Sequence, residues 1–144
     1  MPLFNTSEME PLCPRDLSYK NILVHTYKNG DAFCIRLSDF GLAKERNSDL
    51  TSTGSSMKGS IIDPALESFK EFKEVNDIYA IGFILSYIFT GRERLHVNQS
   101  PLRSIIQKCS NNNPESRYQS VKEIITAILT LPDDPDPRQE TKPQ

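Results

Sequence analysis

Cysteine is scarce and scattered: Cys13, Cys34 and Cys109 are odd in number, far apart and never paired as CxxC. That argues against a disulfide framework and against a zinc site, and leaves reduced thiols as the expectation. Neither sign of charge is in excess, with 17 Lys and Arg against 19 Asp and Glu and a formal net charge of -2. Such a balance offers nothing to nucleic acid or to a membrane surface. Long hydrophobic runs are missing as well. The longest, Ile78 to Thr90, is too short and too interrupted to span a bilayer, and no charged stretch followed by an apolar one opens the chain. These absences predict a soluble, cytoplasmic protein whose partners include neither nucleic acid nor membrane. At 144 residues the chain is long enough to bury one core.

What is present reads as mainly α with a small β-hairpin. Residues 1–13 are rich in turn formers and predict an irregular leader. Two β-branched or aromatic stretches, Asn21 to Tyr27 and Ala32 to Leu37, flank Lys28-Asn29-Gly30-Asp31, and Asn-Gly is the strongest short signal for a tight hairpin turn. Lys44 to Ser60 holds hydroxyls, glycine and charge with little to bury, which predicts a surface loop. Val75 to Thr90, VNDIYAIGFILSYIFT, is apolar nearly all the way round and predicts a helix enclosed by its own domain and stopped by Gly91. After Ser100-Pro101, a helix start, Leu102, Ile105, Ile106 and Cys109 recur at i, i+3, i+4 and i+7. Ser120 with Glu123 three residues on makes a capping box, followed by an apolar face of Val121, Ile124, Ile125, Ile128 and Leu129. Residues 132–144 lack apolar side chains and predict a disordered tail.

The informative segments are Pro14-Arg15-Asp16-Leu17-Ser18-Tyr19-Lys20-Asn21 and, beyond the hairpin, Ser38-Asp39-Phe40-Gly41-Leu42-Ala43-Lys44. A lone Asp in a turn usually does no more than hydrogen-bond nearby backbone. In this order, however, the segments resemble the catalytic loop and Asp-Phe-Gly motif of eukaryotic-type protein kinases. The likeness runs over residues 14–131, through Gly59-Ser60, Pro64-Ala65-Leu66-Glu67 in the place of Ala-Pro-Glu, Asp77 to Gly82, and Arg117. It implies the helical C-lobe of a kinase and ATP-dependent phosphorylation of protein hydroxyls. Transfer of that kind depends on placing charge around the γ-phosphate. By the resemblance, Asp16 is the catalytic residue that orients the substrate hydroxyl, and Lys20 lies near the transferred phosphate. Asn21 and Asp39 bind the nucleotide phosphates through Mg²⁺, a hard cation suited to their oxygens. Glu67 and Arg117 are expected to form a buried ion bridge, and Asp77 to anchor the backbone of the catalytic loop. Thr51, Ser52, Thr53, Ser55 and Ser56 lie where kinases carry a phosphorylation switch, with Arg15 as the expected partner of the phosphate.

The pattern also breaks. Pro14 stands where the family has its catalytic-loop His, and Leu66 where it has the Pro of Ala-Pro-Glu; the stretch from Gly91 to Pro101 is short for a further docking helix. Serine/threonine kinases usually carry Lys at the position of Ser18, whereas a basic residue at Lys20 resembles tyrosine kinases, and Gly59-Ser60 tips the balance back to serine/threonine. No glycine-rich phosphate loop, no Val-Ala-Ile-Lys strand and no preceding glutamate helix is found. The resemblance therefore implies a truncated kinase domain that grips ATP weakly, is inactive alone, and acts on a protein substrate once an N-lobe is supplied in cis or in trans. The alternative is a non-catalytic, pseudokinase-like module that docks a partner protein. A small-molecule phosphotransferase of the aminoglycoside kinase type shares the Asp-xxxx-Asn logic but normally lacks the Asp-Phe-Gly segment.

Overall fold

The computed structural model describes residues 12–28, 30, 32–38, 44–45, 61–96 and 102–132. The hairpin forms as its sequence predicts: β2 (Ile22–Thr26) pairs antiparallel with β3 (Phe33–Leu37), from Ile22 opposite Leu37 to Thr26 opposite Phe33. Gly30 takes φ +71° in the turn, a conformation open to glycine at no steric cost. A second pairing was not predicted. β1 (Leu12–Cys13) lies against β4 (Lys44–Glu45), which ties the approach to the catalytic-loop segment to the chain that leaves the Asp-Phe-Gly segment.

The predicted apolar helix is α1 (Glu74–Thr90). Lysine cannot accept a capping hydrogen bond, so the start of α1 is closed from inside: the Asn76 Oδ1 accepts the Lys73 N–H at 2.7 Å. At the other end Gly91 adopts φ +64° and donates its N–H to the Tyr87 carbonyl, ending the helix as expected. Ile78, Tyr79, Ala80 and Ile84 are buried, while Ile88 and Phe89 in the last turn are exposed, so α1 is enclosed only along its first part.

α2 (Arg103–Cys109) packs across α1. The close approach depends on Gly82, where a Cβ would meet Cys109 Cβ at 3.0 Å and the Ser110 nitrogen at 3.2 Å. Ser100 and Pro101, the predicted start of α2, lie outside the described residues. α3 (Val121–Leu129) begins at Ser120, whose hydroxyl accepts the Glu123 N–H. The reciprocal half of the box is shifted by one residue, since the Glu123 carboxylate accepts from Gln119 N–H. Its predicted apolar face splits: Ile124 is buried and Ile128 partly so, but Val121, Ile125 and Leu129 are exposed. Ile78, Leu102, Ile105, Ile106, Cys109 and Ile124 form the core, with Ile81, Leu85, Leu95 and Tyr118 packed against it.

Candidate functional site

The turn that carries the site is built locally. Ser18 is buried and its hydroxyl accepts the Lys20 N–H, capping a single 3-10 turn over Tyr19–Asn21. The Asn21 N–H closes that turn on the Ser18 carbonyl at 3.0 Å. Within it the Asn21 amide nitrogen donates to the Asp16 carbonyl at 2.9 Å and to the Asp16 carboxylate at 3.1 Å. Two of the residues singled out in the sequence are thus brought into direct contact. The amide nitrogen is committed to Asp16, so Oδ1 of Asn21 is the atom left to meet a cation. That donor chemistry fits Mg²⁺, which takes few protein ligands and fills its shell with water and phosphate oxygens. Among the described residues no three His, Cys, Asp or Glu gather in one place. An amide, a carboxylate and the nucleotide's own oxygens do not need such a cluster.

Asp39 lies outside the described residues, as do Phe40 and Gly41. Its immediate predecessor does not. Ser38 donates both its N–H, at 2.8 Å, and its hydroxyl, at 3.3 Å, to the Asn21 carbonyl. The β2–β3 hairpin therefore returns the chain to Asn21 one residue before Asp39. Lys20 is exposed, with its Nζ 5.8 Å from the centroid of the Tyr19 ring.

The turn is fixed to α1 at two points. Arg15 is buried with φ +64°, a left-handed conformation that costs a non-glycine residue energy, and its N–H donates to the Asp77 carboxylate at 3.2 Å. Asp77 is the expected anchor of the loop backbone. Burial raises its pKa to about 7, with Glu74 adding to the rise and Arg15 opposing it. Pro14, immediately before, supplies no N–H of its own. The second point is an aromatic stack of Tyr19 on Tyr87, with centroids 4.6 Å apart and planes 17° from parallel. Nothing in the sequence pattern announced that pair, because the two residues are separated by the whole hairpin and most of α1.

The expected Glu67–Arg117 bridge does not form. Glu67 is exposed, and Arg117 instead makes a two-pronged ion pair with Asp63, through Nη1 to Oδ2 and Nη2 to Oδ1. The reason is the number of donors that converge on Asp63. It also accepts the Ala65 N–H at 2.9 Å and the Asn76 amide at 2.7 Å, while Glu67, one residue past the 63–66 turn, is exposed. Arg117 completes itself on the Val75 and Asn111 carbonyls and over the Tyr79 ring. Burial alone would raise the Asp63 pKa; the hydrogen bonds from Arg117, Ala65 and Asn76 outweigh it and hold the carboxyl below its usual range. The Asp-Pro pair at 63–64, a common turn initiator, was the signal available in the sequence. The phosphorylatable hydroxyls from Thr51 to Ser56 lie outside the described residues.

The described residues thus place a half-buried Asp16 bonded to Asn21 in one tight turn, behind it an arginine whose backbone is anchored by Asp77, and after it a hairpin whose end, Ser38, lies one residue before Asp39. Comparison with known proteins identifies the class. Residues 8–140 match the family model for the protein tyrosine and serine/threonine kinase domain, and the chain belongs to that family. It is 30% identical over 139 residues to the dual specificity protein kinase pyk3 of Dictyostelium discoideum, covering 81% of this chain and 10% of that protein. It is 29% identical over 140 residues to the dual specificity protein kinase shkC of the same organism, covering 79% and 26%. Against the LRR receptor-like serine/threonine-protein kinase ERL2 of Arabidopsis thaliana it is 32% identical over 100 residues, 68% of this chain and 10% of that protein. The chain thus spans a tenth to about a quarter of the length of these relatives. No helix among the described residues is long and apolar enough to cross a membrane.

Proposed function

We propose that this chain is the catalytic-loop portion of a protein kinase that phosphorylates serine or threonine hydroxyls, and that the 144 residues alone do not turn over. The observation that carries the reading is the Asp16–Asn21 hydrogen bond inside a capped turn. Asp16 accepts or orients the proton of the attacking hydroxyl. Asn21 and Asp39 would hold Mg²⁺, which would neutralise the charge of the ATP phosphates when bound. Lys20 lies near the transferred phosphate. The serine/threonine choice is supported by Gly59-Ser60 and by a serine/threonine-protein kinase among the relatives.

Inactivity of these residues alone follows from what they do not contain. The sequence has six glycines, none arranged as a phosphate-covering loop, and no lysine on a Val-Ala-Ile-Lys strand. Lid and lysine orient the nucleotide, and orientation accounts for roughly 7–11 kcal/mol of a barrier in favourable systems. ATP is therefore held weakly, and an N-lobe in cis or in trans completes the site. A non-catalytic docking module is the second reading, favoured by Pro14 in place of the catalytic-loop His. The test is γ-phosphate transfer with Mg²⁺ and a generic protein substrate, run on the 144-residue chain and on the chain extended by the nucleotide lobe of a relative. The expected result is turnover only in the extended protein, abolished by Asp16→Ala. Asp16-dependent turnover by the chain alone would contradict the inactive reading, and none in a folded, ATP-binding extended protein would favour the docking module.

A further inference from the structure

A hairpin of two strands is too small to bury an apolar surface by itself, and the β2–β3 hairpin has one to bury. Directly opposed residues share a face and successive ones alternate, so the register sets Ile22, Val24 and Thr26 beside Leu37, Ile35 and Phe33 on one side. All but Thr26 are apolar, and none is charged. Val24, Phe33 and Ile35 are 61%, 68% and 58% exposed, and Leu37 is exposed as well. The opposite side carries Leu23 with Arg36 and His25 with Cys34, and there the His25 ring meets Tyr27 edge to face. The hairpin thus keeps its charge on one side and leaves an uninterrupted apolar face on the other.

Among the described elements, β2 and β3 pack chiefly on each other, while α1 closes on α2 and α2 on α3. Charge and area restrict what fits the open face. With no ionic group it selects no charged partner, and nothing in it repels a second copy of itself. The opposite side would set Arg36 against its own like charge in a symmetric pair. An apolar patch of this kind measures on the order of 500 Å², so two copies bury about 1,000 Å² between them, the lower bound of a specific interface.

We infer that the face made by Ile22, Val24, Thr26, Phe33, Ile35 and Leu37 is a self-association surface, on which the hairpins of two copies of this chain pack as a four-stranded, two-layer sandwich. The contact is isologous, because the same neutral face serves both copies. Sheet-on-sheet packing gives each hairpin the apolar cover that two strands cannot supply. The small area makes the dimer weak, with a Kd on the order of tens of micromolar. The inference does not depend on the kinase reading.

Sedimentation velocity of the full 144-residue chain, loaded from about 1 to about 500 μM, tests this. The expected result is a monomer that shifts to a dimer across that range, with no larger species. Ile35→Lys places an unpaired charge in the contact and is expected to weaken association at least about tenfold. Ile125→Lys with Leu129→Lys, on the exposed side of α3, is expected to leave it unchanged. Ile35→Glu should weaken it as Ile35→Lys does, and a mixture of those two variants should regain dimers, which separates loss of the contact from loss of the fold. A chain that stays monomeric at every concentration would assign the face to a different polypeptide and overturn the proposal. Open-ended aggregates, a dimer that survives Ile35→Lys or is lost with the α3 replacements, or a mixture that stays monomeric would overturn it as well.

Discussion

The residues from 14 to 38 and those from 61 to 132 are held by different physics. In the helical part Ile78, Ile106 and Cys109 are wholly enclosed, and the ion pair of Arg117 with Asp63 is closed off from solvent on both sides. In the hairpin Val24, Phe33 and Ile35 are each more than half exposed, and the site turn relies on hydrogen bonds, on the Asp77 anchor and on the Tyr19–Tyr87 stack. The helical part makes a core; the loop part borrows its position from that core. The site is therefore separable from global stability, and replacements in the two parts should behave differently.

The largest effect that would sharpen this contrast comes from the buried ion pair. Asp63→Ala leaves Arg117 enclosed without its carboxylate, and urea unfolding is expected to show a loss of about 3–5 kcal/mol. Glu67→Ala, at an exposed position, should change stability by less than about 0.5 kcal/mol. The reverse ranking would restore the bridge that the sequence alone suggested. Acid should act in the same direction, because Asp63 has a depressed folded pKa: its contribution is complete above about pH 4, the usual aspartate range, and is lost as pH falls further.

Asp77 carries the opposite sign. An unfolded aspartate releases its proton near 3.8, whereas the folded one keeps it up to about 7, so between those values the folded state binds the extra proton. Stability is thus expected to fall as pH rises from about 4 to about 7, no more steeply than about 1.4 kcal/mol per pH unit, and to level off above. Asp77→Asn should flatten that slope in a pH series of thermal melts. An unchanged slope would detach Asp77 from the junction between the two parts.

A smaller effect is expected at the helix crossing. Gly82→Ala pushes a methyl group to 3.0 Å from Cys109 Cβ, an overpacking cost of roughly 1–3 kcal/mol from which helix propensity returns up to about 1 kcal/mol, so a net loss of up to about 2 kcal/mol is expected in urea unfolding. Ser120→Ala removes the cap of α3 at a cost of about 1 kcal/mol, measured in the same way. If that replacement cost well over that, α3 would be a larger part of the core than its single buried residue, Ile124, indicates.

Much of this was readable before any coordinates. Asn29-Gly30 marked the hairpin, the apolar run from Val75 marked α1, and Gly91 marked its end, because each is a local signal acting over a few residues. Asp16, Asn21 and Asp39 stood out because their order resembles that of the kinase catalytic loop, and Asp16 and Asn21 meet in one turn. What escaped the sequence depends on tertiary placement. Arg117 chooses Asp63 over Glu67 because the Ala65 N–H and the Asn76 amide already converge there, and spacing along the chain does not encode that convergence. The Tyr19–Tyr87 stack joins residues far apart in sequence, and the burial of α3 along only part of its apolar face follows from what packs against it.

The central claim is that the capped turn of Asp16 and Asn21 is a metal-phosphate site standing on an independent helical core. Its most direct test is paramagnetic broadening of amide spectra of the 144-residue chain, titrated with Mn²⁺ in the presence of ADP. Weak binding suffices for this measurement. The account predicts that the Asn21 side-chain amide and the backbone amides beside Asp16 broaden first, while Ile78, Ile106 and Cys109 stay sharp. Broadening that spares Asn21, or that falls first on the exposed carboxylates of the helical part, would contradict it.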